Sequence, residues 1–243
     1  MESSLKNGAH RAALYHDMQR AVPGLGEMYR LVAALVSTRA VRGGRLLIVG
    51  AGGGREIGVL GQCFRDLKTT VLDPSAQNLQ AAKELADSRG QTGDLRFVNG
   101  RVESLPEQPT FDIVTSLLVM QQLEDDGTKL AYLEALNKRM TAGGLLIHAD
   151  VCHEGQQELS DLAPIYRSYA DLIGVANSVA NMEIELIARM PVVSPDRTLA
   201  LFAEAGLAKP REIFRTLWYR CWISRCKAVS AEGFAAIKGK QNA

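Results

Sequence analysis

The residues best suited to chemistry gather where apolar runs end. Leu46-Leu47-Ile48-Val49 leads straight into Gly50, Ala51, Gly52, Gly53 and Gly54. Four apolar residues in a row suit a strand buried on both faces. Glycines carry no Cβ, so this turn can be sharp and can lie close against a ligand. A helix starting near Arg55 would aim its unpaired N–H groups at whatever sits over the turn. A second apolar run ends in Asp73-Pro74-Ser75. A carboxylate there can accept hydrogen bonds from a ribose diol, and it can also cap the helix that follows. Arg101 and Val102 follow a third run, and Ser116 and Leu117 end a fourth. A fifth run carries His148 and ends at Asp150, with His153 just beyond. Side chains alternate along a strand, so His148 and Asp150 point the same way. Asp150, at the strand end, is the stronger candidate for a catalytic acid–base group. His148 reads equally well as a core histidine, and His153 as a loop base or a solvated histidine.

The intervening segments are those that would hold these residues in place. Glu27 to Arg39 has apolar residues at helical spacing, and a shorter helix is expected from His10 to Arg20. Helices are expected over Glu56–Phe64, Ala76–Arg89, Asp125–Met140 and Arg197–Ala205. Strands are expected over Thr69–Leu72, Asp94–Val98, Phe111–Ser116 and Leu145–Ala149. Thr141-Ala-Gly-Gly144 reads as the glycine stop of a helix. Strands alternating with helices imply a mostly parallel sheet whose ligands bind beyond the carboxyl ends of the strands. Gly50, Asp73, Val102, Ser116 and Asp150 all fall at those ends. Residues 151–194 break the alternation with a helical insertion, expected to act as a lid or a subunit contact. Two strands, Lys209–Thr216 and Trp218–Lys227, close the chain.

Length and composition narrow the function classes. The chain has 243 residues, enough for one large domain, and a formal charge of +1. The balanced charge offers no footprint for nucleic acid. There are four cysteines, with no C-x-x-C spacing, so no metal site is expected and the chain reads as reduced and cytoplasmic. No apolar run is long enough to span a membrane, and the N-terminus shows no signal-peptide pattern.

The glycine spacing chooses between two cofactor families. Dinucleotide enzymes use G-x-G-x-x-G, but the sixth position counted from Gly50 is Arg55. The pattern Gly50-x-Gly52-x-Gly54 instead resembles the first motif of class I S-adenosylmethionine-dependent methyltransferases. Phe111-Asp-Ile-Val-Thr-Ser and the run Met140-x-x-Gly-Gly-Leu-Leu-Ile are similar to later motifs of that family. The resemblance covers about residues 20–228. It implies an α/β, Rossmann-like sheet of seven strands, mostly parallel with an antiparallel last strand. Helices would lie on both faces, with an N-terminal helical cover over residues 10–40, and the whole chain, 1–243, would form a single domain. It implies that S-adenosylmethionine (SAM) is the cofactor, with S-adenosylhomocysteine as product. Cofactor contacts would fall to Gly50, Ala51, Gly52, Gly54, Asp73, Pro74, Arg101, Val102, Ser116 and Leu117. Methyl transfer to a small-molecule acceptor would involve Asp150, His153 and Tyr15. Tyr166, Tyr169 and Gln121 would line the acceptor site, and the helical insertion is a candidate homodimer contact.

A narrower resemblance points to the carboxy-S-adenosylmethionine synthases. Arg20-Ala-Val-Pro-Gly-Leu-Gly and Phe214-Arg-Thr-Leu-Trp-Tyr-Arg-Cys-Trp carry it. Those enzymes hold an extra carboxylate, derived from prephenate, with an arginine on the last helix. Leu201 stands at the matching place and cannot pair with a carboxylate, although Arg197 lies nearby. The expectation is therefore ordinary methyl transfer. A carboxy-SAM synthase and a non-catalytic SAM-fold scaffold are the alternatives.

Overall fold

The computed structural model describes residues 18, 20–61, 63–91 and 93–227. The front helix expected from His10, with Tyr15, lies outside the described residues. Helix α1 (Leu25–Arg39) leads into strand β1 (Gly44–Val49) and helix α2 (Arg55–Leu60). Next come β2 (Leu67–Asp73), α3 (Ala76–Ser88), β3 (Asp94–Asn99) and β4 (Phe111–Leu117). Then follow α4 (Thr128–Lys138), β5 (Met140–Val151), α5 (Gln156–Leu172) and α6 (Asn177–Arg189). The order closes with α7 (Pro195–Glu204), β6 (Arg211–Thr216) and β7 (Tyr219–Arg225).

The strands form one seven-stranded sheet in the order β3-β2-β1-β4-β5-β7-β6. β1 pairs parallel with β2 and β4, and β4 pairs parallel with β5. β7 runs antiparallel between β5 and β6. The expected parallel sheet with an antiparallel closing strand is therefore present. Period-two alternation divides β1 between two cores. Leu46 and Ile48 pack with α1, α2, α3, α5 and α6, while Leu47 and Val49 pack with α4 and α7.

Two local expectations need correction. Phe64 does not extend α2, which ends at Leu60; Cys63–Arg65 is a separate short 3-10 turn. Thr141–Gly144 is not a helix stop. α4 ends at Lys138, and those residues open β5. The register slips between Phe111 and Ile113, and Gly143 takes φ +75° within that irregular start. Glycine with positive φ is characteristic of a bulge as well as of a helix end, so composition could not separate the two.

Candidate functional site

The switch point lies between β1 and β4, because the chain winds outward from β1 to β3 and then returns to the other side. Ligands of such sheets bind there. A two-lobed cleft opens at this place. One lobe, about 300 Å³, is lined by Gly50, Ala51, Gly52, Asp73 and Leu117 together with Tyr29, Arg55, Glu56 and Asn78. The other, about 250 Å³, is lined by Arg101, Val102, Val49, Leu72, Leu123 and Tyr132. Gly50, Pro74, Val119 and Gln122 border both.

The glycine loop is shaped for contact. Gly50 has φ +86°, and a Cβ there would sit 2.6 Å from Val119 Cγ2. Only a residue without a side chain closes this turn without strain. The third glycine has a different job. Gly54 caps α2 at φ +89°, and a Cβ would come within 3.1 Å of Ala82 Cα and 3.0 Å of Leu85 Cδ2. It allows α3 to approach the loop, and it lines neither lobe.

Asp73 ends β2 with its side chain 4% exposed. Its Oδ1 accepts the Ser75 N–H at 2.7 Å, and its Oδ2 accepts the Gly52 N–H at 3.3 Å. Asn78 Nδ2 donates to both oxygens at 3.3 Å. The carboxylate is thus tied to the glycine loop and to the first turn of α3. Helix capping belongs to Ser75, whose Oγ accepts the Asn78 N–H. Asn78 was not legible as a site residue: one asparagine in a polar helix start carries no signal of its own.

Several sequence candidates lie off the cleft. Asp150 is expected at its mouth, but it is 1% exposed on the α4 side of the sheet. Its Oδ1 accepts the Gln121 N–H at 2.8 Å. β5 continues to Val151 and pairs with β7, which covers this end of the strand. Burial pushes the Asp150 carboxyl up to about 7 and His148 down to about 3. His148 packs against the Phe202 and Trp222 rings and sits 3.2 Å from Ser116 Oγ. Ser116 is fully buried and shares a 2.7 Å hydrogen bond with Tyr132. Its neighbour Leu117 faces the cleft instead.

Gln121 folds inward, and its Oε1 accepts the Val151 N–H at 3.1 Å. Gln122 takes the cleft position. The reason is the 3-10 turn Met120–Gln122, preceded by Leu118 at φ +60°, which rotates the pair by one place. Tyr166 is fully buried and donates to Glu183, so it does not line the cleft, and Tyr169 lines neither lobe. His153 is 8% exposed, its Nδ1 accepts the Gly155 N–H at 3.1 Å, and burial lowers its pKa. Leu201 is fully buried in the α4–α7 core. Arg197 holds Asp125 at 2.9 Å and Glu204 at 2.7 Å on the surface, and reaches neither lobe. Sequence reasoning also missed Glu56, a buried carboxyl on the cleft wall. Among the described residues, no cluster of His, Cys, Asp and Glu could hold a metal ion. No described helix is long and apolar enough to cross a membrane.

Comparison with known proteins fits this geometry. Residues 47–146 match the sequence model of a family described as "Methyltransferase domain". Solved methyltransferases superpose on most of the chain. The architecture is the Rossmann-like methyltransferase fold. A protein from Nostoc punctiforme named as an O-methyltransferase is 15% identical, with a TM-score of 0.60 over 84% of this chain and 57% of its own. The CurJ carbon methyltransferase is 13% identical, with a TM-score of 0.62 over 87% of this chain and 57% of its own. Burkholderia thailandensis 1,6-didemethyltoxoflavin-N1-methyltransferase, solved with bound 1,6-didemethyltoxoflavin and S-adenosylhomocysteine, is 17% identical. It superposes with a TM-score of 0.57 over 94% of this chain and 85% of its own. The chain thus spans a little over half of the first two structures and most of the third. No curated protein matches the sequence.

Proposed function

We propose that the protein is a SAM-dependent methyltransferase acting on a small-molecule acceptor. One observation carries this reading: a glycine loop too tight for a Cβ is tied to a carboxylate that faces the same cleft. Bound there, SAM supplies a methyl group activated on a sulfonium sulfur. Asp73 would accept the ribose hydroxyls, with Asn78 and the Ser75 N–H holding its oxygens in place. Gly50, Ala51 and Gly52 would lie beneath the methionine portion. Val102, Leu72 and Leu123 would enclose the base, with Arg101 against its face. The acceptor's nucleophile must stand in line with the methyl carbon, and such positioning supplies roughly 7–11 kcal/mol of a barrier. His153 is the proposed base where the acceptor carries a proton; it lines neither lobe, and its Nδ1 would have to release the Gly155 N–H before the ring could take one.

The balanced charge supports a small acceptor rather than nucleic acid. Four free cysteines support a reducing, cytoplasmic setting. Exposed Ile165 and Leu172 on α5, with Met182 and Leu186 on α6, support a homodimer through the helical insertion, which light scattering would detect. The carboxy-SAM alternative has no support from α7, because Arg197 is engaged on the surface and Leu201 is buried.

The direct test of the site is Asp73→Ala. Calorimetric titration with S-adenosylhomocysteine should show binding weakened by about 1–3 kcal/mol, the range for losing a charged hydrogen bond. Unchanged affinity would remove the ribose from Asp73.

A further inference from the structure

Glu56 takes no part in the contacts proposed for the cofactor. It is the second residue of α2, directly after the glycine loop. It is 4% exposed yet lines the same lobe as Gly52 and Asp73. Among the described residues, its Oε1 is buried without a hydrogen-bond partner. An ionised carboxylate in that condition is costly unless a positive charge arrives beside it.

Among the described residues, none supplies that charge to Glu56. Arg55 is adjacent in the helix, and consecutive helical positions face different ways; its guanidinium lies 4.3 Å over the Tyr29 ring of α1. From β4 comes the Thr115 hydroxyl, from α4 Tyr132, from β7 Cys221, and from β2 the Asp73 carboxyl across the lobe. Burial raises both Tyr132 and Cys221, the latter to about 12, so neither is charged near neutrality. Burial likewise pushes Glu56 up to about 8, only partly offset by Thr115. The cleft wall therefore carries a buried carboxyl with one oxygen that no described residue bonds.

We propose that Glu56 gives up its proton when a positively charged group of the cofactor enters the cleft, and then pairs with that group as a carboxylate. This rests on the methyltransferase reading and adds a charge-sensing element to it. Two cationic groups of SAM have the required chemistry, the sulfonium and the α-ammonium. S-adenosylhomocysteine keeps only the ammonium, and methylthioadenosine has neither. The proton goes to solvent, so binding is coupled to pH through a residue of the protein.

Calorimetric titrations at pH 7 in two buffers of different ionisation enthalpy count the protons released. SAM should release close to one proton and methylthioadenosine none. Release with S-adenosylhomocysteine as well assigns the partner to the ammonium; release with SAM alone assigns it to the sulfonium. Release should fade as pH rises above about 8, where Glu56 is already ionised. This profile is read on the unaltered protein and does not depend on any variant folding. Glu56→Gln should abolish release and weaken SAM about tenfold, while leaving methylthioadenosine within about twofold. Binding of SAM without proton release, or release persisting in Glu56→Gln, overturns the inference while leaving the function intact. Failure of all three ligands to bind overturns the function instead.

Discussion

At the scale of single residues, the cleft depends on what is absent as much as on what is present. Gly50→Ala would force a Cβ into Val119 and a side chain onto φ +86°. Such overpacking costs about 1–3 kcal/mol; urea unfolding should show that loss together with weaker S-adenosylhomocysteine binding. For His153 the expectation differs in kind. His153→Asn should lower turnover by about 10²-fold or more, the usual worth of a general base, with cofactor affinity unchanged. Equal turnover would leave the reaction to positioning alone. The glycine loop, Asp73 and Pro74 were legible in sequence because strand, turn and acid recur at fixed spacing. Ser116 against Leu117, and Gln121 against Gln122, were not. Ser116 and Leu117 part by the period-two alternation of β4, whose end was not fixed by composition, and the glutamine pair turns on the backbone that follows Leu118 at φ +60°, which no residue type announces. Glu56 was illegible for another reason: an acid in the first turn of a helix is ordinary, and only the packing around it reveals its burial.

At the scale of elements, one buried carboxylate links both helices of the insertion to the sheet. Glu183 on α6 accepts hydrogen bonds from Tyr166 on α5 and from Tyr219 on β7. All three are buried, and the Tyr166 ring packs 5.4 Å from that of Trp218. Burial raises the Glu183 carboxyl, while the two hydroxyls oppose that rise. Tyr166→Phe and Tyr219→Phe should each destabilise by about 1–3 kcal/mol. Because both hydroxyls share one acceptor, the double variant should depart measurably from additivity in urea unfolding. Additive losses would mean that the fastening is two separate contacts. The helical character of this insertion was legible from apolar spacing, but Tyr166 reads the same whether it lines a pocket or a core. Sequence alone also misread Asp150, because the antiparallel pairing that buries its strand end comes from β7, some seventy positions later.

At the scale of the whole molecule, the buried acids give stability a direction in pH. Glu56 and Asp150 have folded-state pKa values raised from 4.5 to about 8 and from 3.8 to about 7. Their contribution is full below the ordinary carboxylate values and is lost as pH rises through the folded values. His148 is lowered from 6.5 to about 3, so it opposes them only below 6.5. Unfolding free energy should therefore decline from pH 6.5 to pH 8, and Glu56→Gln should flatten that decline. The sheet order and its antiparallel close were legible from alternation and motif, since each strand announces itself by its apolar run. All of these features matter to function only if the cleft takes SAM. The most direct measurement is a thermal shift of the intact chain with SAM, S-adenosylhomocysteine, carboxy-SAM and NAD. A ligand at about 100 times its dissociation constant adds roughly 2.7 kcal/mol of stability, a rise of several degrees in Tm. That rise is expected with SAM and S-adenosylhomocysteine, and none with NAD. A larger rise with carboxy-SAM would move the protein to the synthase branch, and no rise with any of the four would contradict the assignment of the cleft.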